Sequence, residues 1–178
     1  MIFVVGTGRS GTSTVARLVH QSGRACMGHN FVSPDRLNPD GYWEDMTVRK
    51  SIRSLIKGDI ERFLEKLHAA HEEYGCKADN IGFKHPLLFE VPRQVWMDLS
   101  NKDPGLFLYW AIRPEELVIP SAVRVWVFRG QRRKGDKEAR TLYHNRMGAL
   151  EKNVRGLPFA KIIDFSEPRT DAWVLSKL

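Results

Sequence analysis

The sequence predicts an α/β domain: a mainly parallel sheet in three layers, with helices on both faces. Three observations carry that prediction. The runs "IFVV" at Ile2–Val5 and "LFLYWAI" at 106–112 are of strand length and apolar throughout, as strands buried on both faces are. Between and after them, apolar residues recur every three or four positions, which marks helix faces. Lastly, 178 residues suffice for one hydrophobic core and are too few for two ordinary domains. With no linker, internal repeat or low-complexity tract, 1–178 reads as a single unit.

The elements follow in order. Ile2–Val5 is the first strand, and Val15, Leu18 and Val19 mark one face of a helix that Gly23 can end. Residues 28–42, with two prolines and several turn formers, read as loop. Val48, Ile52, Leu55 and Ile56 give a second helix, with Glu44 at its start; Ile60, Phe63, Leu64 and Leu67 give a third. Ile81–Lys84 is a short strand, followed by a helix through Val95, Trp96 and Leu99. After the strand at 106–112 a helix begins near Pro114, where proline suits the first turn. "RGQRRKGDK" (129–137) interrupts the pattern. A long helix then carries Ala139, Leu142, Tyr143, Leu150 and Val154 toward the core. "FAKIIDF" (159–165) is the last strand, and Thr170 can cap a short final helix.

Composition limits the function. Apolar residues at 42% and charged residues at 28% are the balance of a soluble globular protein. A net charge of +7 and a pI near 9.6 call for an anionic partner. No run approaches the length of a membrane span, and the short apolar run before Gly6 lacks the basic flank of a signal peptide. Cys26 and Cys76 lie far apart and suggest no disulfide framework, so a reducing cytoplasm is the expected location. Cys26-Met27-Gly28-His29 has the spacing of half a zinc site without a second half, and no metal is expected. His68 and His71 read as a solvated helix face.

The chemistry sits in "GTGRSGTS", Gly6–Ser13, between the first strand and the first helix. Gly6-x-Gly8-x-x-Gly11 fits a dinucleotide fingerprint, but no acidic residue follows at the distance needed to bind a ribose. Gly6-x4-Gly11 fits the Walker A spacing, but Thr12-Ser13 stands where Lys-Ser or Lys-Thr is required. In a third form the cation lies inside the turn, as Arg9. Backbone amides and the helix N-terminus then cradle an anion, with hydroxyls from Ser10, Thr12, Ser13 and Thr14.

On these residues the sequence resembles the sulfotransferase family, whose 5′-phosphosulfate loop in many bacterial, phage and Golgi-type members reads "GxxRSGTS/T". Two further segments match in order. "YWAIRPEELVIPS" sets Arg113 at the end of the central strand and Ser121 eight positions on, where the family binds the 3′-phosphate of its donor. The plain alternative is a salt bridge from Arg113 to Glu115 or Glu116. Proline follows Arg113 directly, one place earlier than in the common form, and Pro120 falls inside the helix, where it favours a kink. "GFKHP" (82–86) resembles the segment that ends the middle strand and faces the acceptor.

The resemblance implies a P-loop-like sulfotransferase fold and 3′-phosphoadenosine 5′-phosphosulfate (PAPS) as donor. A hydroxyl or amine would accept the sulfuryl group, with adenosine 3′,5′-bisphosphate released. It implies donor binding by Gly8, Arg9, Ser10, Gly11, Thr12, Ser13, Arg113 and Ser121, and catalysis by Arg9, Glu44, Lys84 and His85. Glu44 and His85 compete as the base; Glu44 is preferred because Arg9 also follows the glutamate-using branch. Three other readings stay open: a kinase-like phosphotransferase, a P-loop nucleotide-binding protein, and a non-catalytic nucleotide-binding module. The basic run 129–137 reads as a lid over an anionic acceptor or as an inert solvated loop, Trp43 as a candidate lining of the acceptor pocket, and the acceptor itself is not legible.

Overall fold

Four parallel strands stand in the order β2-β1-β3-β4. They are β1 (Ile2–Gly6), β2 (Gly82–Lys84), β3 (Phe107–Ile112) and β4 (Ala160–Asp164). The computed structural model describes residues 1–36, 38, 41–76, 81–128, 135–167 and 170–178. Among them the helices are α1 (Thr12–Gln21), α2 (Ile52–Ile56), α3 (Ile60–Glu73), α4 (Arg93–Lys102), α5 (Glu115–Phe128), α6 (Asp136–Asn153) and α7 (Asp171–Leu175). This is the predicted α/β architecture.

The strand period of two divides the core. Phe3, Val5, Phe83, Leu108 and Trp110 face α2, α3, α4 and the end of α6, in one apolar cluster. Val4, Tyr109, Ala111 and Ile163 face the other way, against Val15, Val19 and Val174 of α1 and α7. β1 and β3 pair from Ile2↔Phe107 to Gly6↔Ala111, so their C-terminal ends finish side by side. In a parallel sheet that end is where ligands bind.

Several details differ from expectation. The second helix is a single 3-10 turn at Arg49–Ser51 leading into α2, so Glu44 lies in irregular chain ahead of it. Asp45 behaves as an N-cap to the chain that leads into this turn: its carboxylate accepts the backbone amides of Thr47 (2.8 Å) and Val48, and its carbonyl accepts the Arg49 amide (3.0 Å), which leaves Glu44 just outside. β4 is an edge strand with only Ile163 fully buried, and Ile162 is exposed. α5 runs through Pro120 as one helix. Leu142 points away from the core and is exposed. Thr170 caps α7 by accepting the Trp173 amide. His71 is buried, its ring spanning the carbonyls of Leu67 (2.8 Å) and Cys26 (2.9 Å).

The cysteines require a correction. Cys26 and Cys76 are disulfide-bonded, with Cα atoms 6.1 Å apart. Fifty residues of sequence conceal the pair because α3 returns the chain to the start of β2, where Cys26 bridges Ile81. The cytoplasmic expectation rested on those cysteines being unconnected and loses that support. Among the described residues no helix is long and apolar enough to cross a membrane. Residues 129–134 of the basic run lie outside the described residues; Asp136 and Lys137 open α6.

Candidate functional site

The Gly6–Ser13 turn folds around its own backbone. Arg9 adopts φ +72° and Gly11 φ +96°. A Cβ on Gly11 would lie 2.8 Å from the Phe165 ring, so that position requires glycine twice over. The Ser10 hydroxyl donates to the Thr7 carbonyl at 2.7 Å and is fully buried. It braces the turn rather than facing the cavity, unlike the other hydroxyls predicted to act there. Thr12, Ser13 and Thr14 do line the cavity, as do Gly8, Arg9 and Gly11. The Ser13 hydroxyl also donates to the Tyr42 carbonyl at 3.3 Å.

Arg9 then meets the second motif. Its Nε donates to Ser121 Oγ at 2.9 Å, joining the loop to α5 across 112 residues of sequence. Arg113, just past β3, turns its Nη1 toward the Arg9 carbonyl at 3.5 Å. Glu115 is engaged elsewhere, by Arg140 and by His144 at 3.1 Å. Among the described residues no carboxylate pairs with Arg113. Burial pushes the Arg9 guanidinium below its ordinary pKa, while nearby Tyr42 and Asp35 pull the other way. A smaller recess of about 230 Å³ opens between Arg9, Arg36, Ser121 and Arg124.

The other side of the cavity is built from β2 and the segment before α2. Lys84 Nζ donates to Glu44 Oε1 at 2.8 Å and to the Tyr42 carbonyl at 2.8 Å. Both side chains are almost fully buried. Burial lowers the Lys84 pKa, and the adjacent Glu44 carboxylate opposes that shift. His85 follows on the same strand end, its ring stacked on Phe83. Burial pushes its pKa down to about 4, although Glu44 pulls the other way. Its Nδ1 accepts the Leu87 amide at 3.1 Å, so the proton of the neutral ring belongs on Nε2.

All four predicted catalytic residues, Arg9, Glu44, Lys84 and His85, therefore line one cavity of about 450 Å³ with Arg113. Ser121 reaches it through Arg9. Trp43 does not line it but packs on Phe31 and His20, while Trp126 does. Val118, Ala122, Val125, Trp126, Leu142 and Tyr143 form an apolar wall large enough for an aromatic base. The polar wall holds Arg9, Arg49, Lys84, Arg113 and Arg146, with Glu44 its one carboxylate among the described residues. Thr7 Oγ1 and Arg146 Nε are buried without partners. These orphaned donors and the excess of cations fit a phosphate-bearing ligand.

Arg146 was not singled out from the sequence. It reaches over Gly8, where an added Cβ would lie 3.1 Å from its Nη1, and its guanidinium sits on the Phe89 ring. Burial lowers its pKa. The signal was there in helical spacing: Ala139, Leu142, Tyr143 and Arg146 share one face of α6.

No family model matches the chain, and no curated protein does. Two solved structures are similar to it over 99% of its length. One is a gluconokinase from Sinorhizobium meliloti 1021, with 18% identity, 87% of that chain covered and a TM-score of 0.49. The other is a chain from Chloroflexus aurantiacus j-10-fl described as a kinase, with 14% identity, 97% of that chain covered and a TM-score of 0.47. The fold class stands on the strand order and register described above.

Proposed function

We propose that this chain is a nucleotide-dependent group-transfer enzyme, and that the group is a sulfuryl passed from PAPS to a hydroxyl or amine. The observation that carries the reading is the Arg9 Nε–Ser121 Oγ contact with Arg113 against the same loop, which brings the two cationic motifs together at one end of the sheet. Arg113 and Ser121 would hold the 3′-phosphate, Arg113 by its planar fork. The loop amides and the N-terminus of α1 would hold the 5′-phosphate. The apolar wall of α5 and α6 would take the base.

In this reading Glu44 Oε2 accepts the acceptor's proton as the acceptor oxygen bonds to sulfur. The bond from sulfur to the 5′-phosphate oxygen breaks, and its electron pair stays on that oxygen beside Arg9 and the loop amides. Lys84 holds Glu44 in place through Oε1. Glu44 is favoured over His85 as the base because the His85 Nδ1 is occupied by Leu87, leaving an N–H on Nε2 that donates rather than accepts. Arg9 neutralises charge but stays protonated.

Nucleotide-dependent phosphoryl transfer is the second reading, favoured by the Gly6-x4-Gly11 spacing directly before α1. Calorimetric titration with adenosine 3′,5′-bisphosphate beside Mg-ATP separates the two. Binding of the bisphosphate in preference, lost in Arg113→Ala, supports sulfuryl transfer. Preference for Mg-ATP supports phosphoryl transfer.

A further inference from the structure

Away from the cavity, at the opposite end of β2, Cys26, His29 and Cys76 bring three metal-ligating atoms within 4.8 Å of one another. We propose that, in the dithiol form, these three residues bind one zinc ion and leave its fourth position open. The donor set of two thiolates and an imidazole suits zinc, whose ligands stand at about 2.3 Å for sulfur and 2.0–2.1 Å for nitrogen. Tetrahedral geometry then sets sulfur and nitrogen roughly 3.6 Å apart. Cys26 Sγ and His29 Nε2 are 3.8 Å apart.

The scaffold holds each ligand independently of the disulfide. Cys26 bridges Ile81, and its carbonyl accepts the Gly82 amide at 2.7 Å and the His71 ring. The Cys76 amide donates to the His71 carbonyl at 2.8 Å at the end of α3. Opening the S–S bond therefore leaves the two backbones where they are. His29 is presented by a turn fixed from below: Asp45 Oδ2 accepts the amides of His29 (3.0 Å) and Asn30 (3.2 Å). Gly28, at φ +100°, leaves no room for a Cβ, which would lie 2.2 Å from that same oxygen. The His29 ring packs against Tyr74 and His20. An exposed histidine held by a buried aspartate and packed between two rings is aimed, and what it faces is the sulfur pair.

Disulfide and metal site are alternatives for the same atoms. A phosphine reductant gives two electrons to the S–S bond and becomes its oxide, taking oxygen from water, which supplies both thiol protons. Zinc then displaces those protons to the buffer as the thiolates donate their lone pairs, with no change in the metal's oxidation state.

The test is cobalt(II) added to tag-free, phosphine-reduced protein, followed by zinc. One cobalt per chain with a thiolate charge-transfer band, bleached by equimolar zinc, is the expected result. Cys26→Ser and Cys76→Ser each remove the band. His29→Ala, a surface change that leaves the core intact, weakens cobalt affinity by at least about 100-fold and alters the ligand-field spectrum. No band from reduced protein whose far-ultraviolet circular dichroism is unchanged overturns the proposal. A band indifferent to His29→Ala overturns the three-ligand assignment.

Discussion

The two sides of the cavity handle charge in opposite ways. On one side, Arg113 turns its guanidinium to the Arg9 carbonyl at 3.5 Å, and no carboxylate among the described residues pairs with it. On the side of Lys84, a buried ammonium is matched by the Glu44 carboxylate at 2.8 Å. An unmatched buried cation weakens the fold and gains its counter-charge from a ligand; a matched one belongs to the fold and can position its partner. The first side leaves a cation open to an anionic ligand, and the second fixes the Glu44 carboxylate in place.

Lys84→Met tests this contrast hardest. It strands Glu44 in a site with little water, and unfolding in urea should reveal a loss of about 3–5 kcal/mol. Lys84→Met/Glu44→Gln should recover most of that loss, since both charges are then gone. A neutral single variant would mean that the pair is not compensated in the way described.

Arg113→Ala should behave in the opposite sense. In the proposed sulfuryl-transfer reading, bisphosphate affinity should fall roughly 30- to 100-fold, about 2–3 kcal/mol for a charged hydrogen-bonded contact, while stability in urea stays level or rises. A fall in stability as large as that of Lys84→Met would erase the distinction between the two sides.

The smallest expected effect concerns His85, which separates proton handling from mere burial. Burial holds its pKa at about 4 in the folded chain, against an ordinary value of 6.5. Between those pH values the unfolded ring binds a proton that the folded ring refuses. Its stabilising contribution is therefore present above pH 6.5 and is lost as pH falls toward 4. The full difference is worth roughly 3 kcal/mol; screening by solvent in the cavity that the ring lines reduces it, so His85→Gln should flatten the acid side of the stability–pH curve by roughly 1–2 kcal/mol. An unchanged curve would mean that the ring is not protected from water.

What the sequence revealed of the site is what lies close together in the chain. Gly6–Ser13, Arg113–Ser121 and Lys84–His85 each sit at the end of an apolar strand, so the strand pattern alone aims them at one edge of the sheet. Glu44 was legible as a residue and not as a position, because the capping carboxylate is that of Asp45 and Glu44 stands just outside the turn it starts. His71 looked solvated because its partners, Leu67 and Cys26, include one 45 residues away. The cysteine pair was hidden for the same reason. Leu142 read as core because helical periodicity cannot tell a buried face from one that lines a cavity.

The strand order also dictates when the Gly6–Ser13 turn can take its final form. Ile2 must pair with both Gly82 and Phe107, so β1 is synthesised long before either neighbour. During translation "IFVV" is a short apolar segment with two open edges, and closing such distant pairings is slow. The turn that follows it gains its Ser121 and Arg113 contacts only after α5 has emerged. Until then the newborn chain carries that turn without its long-range contacts, and the exposed apolar strand beside it is open to misassembly.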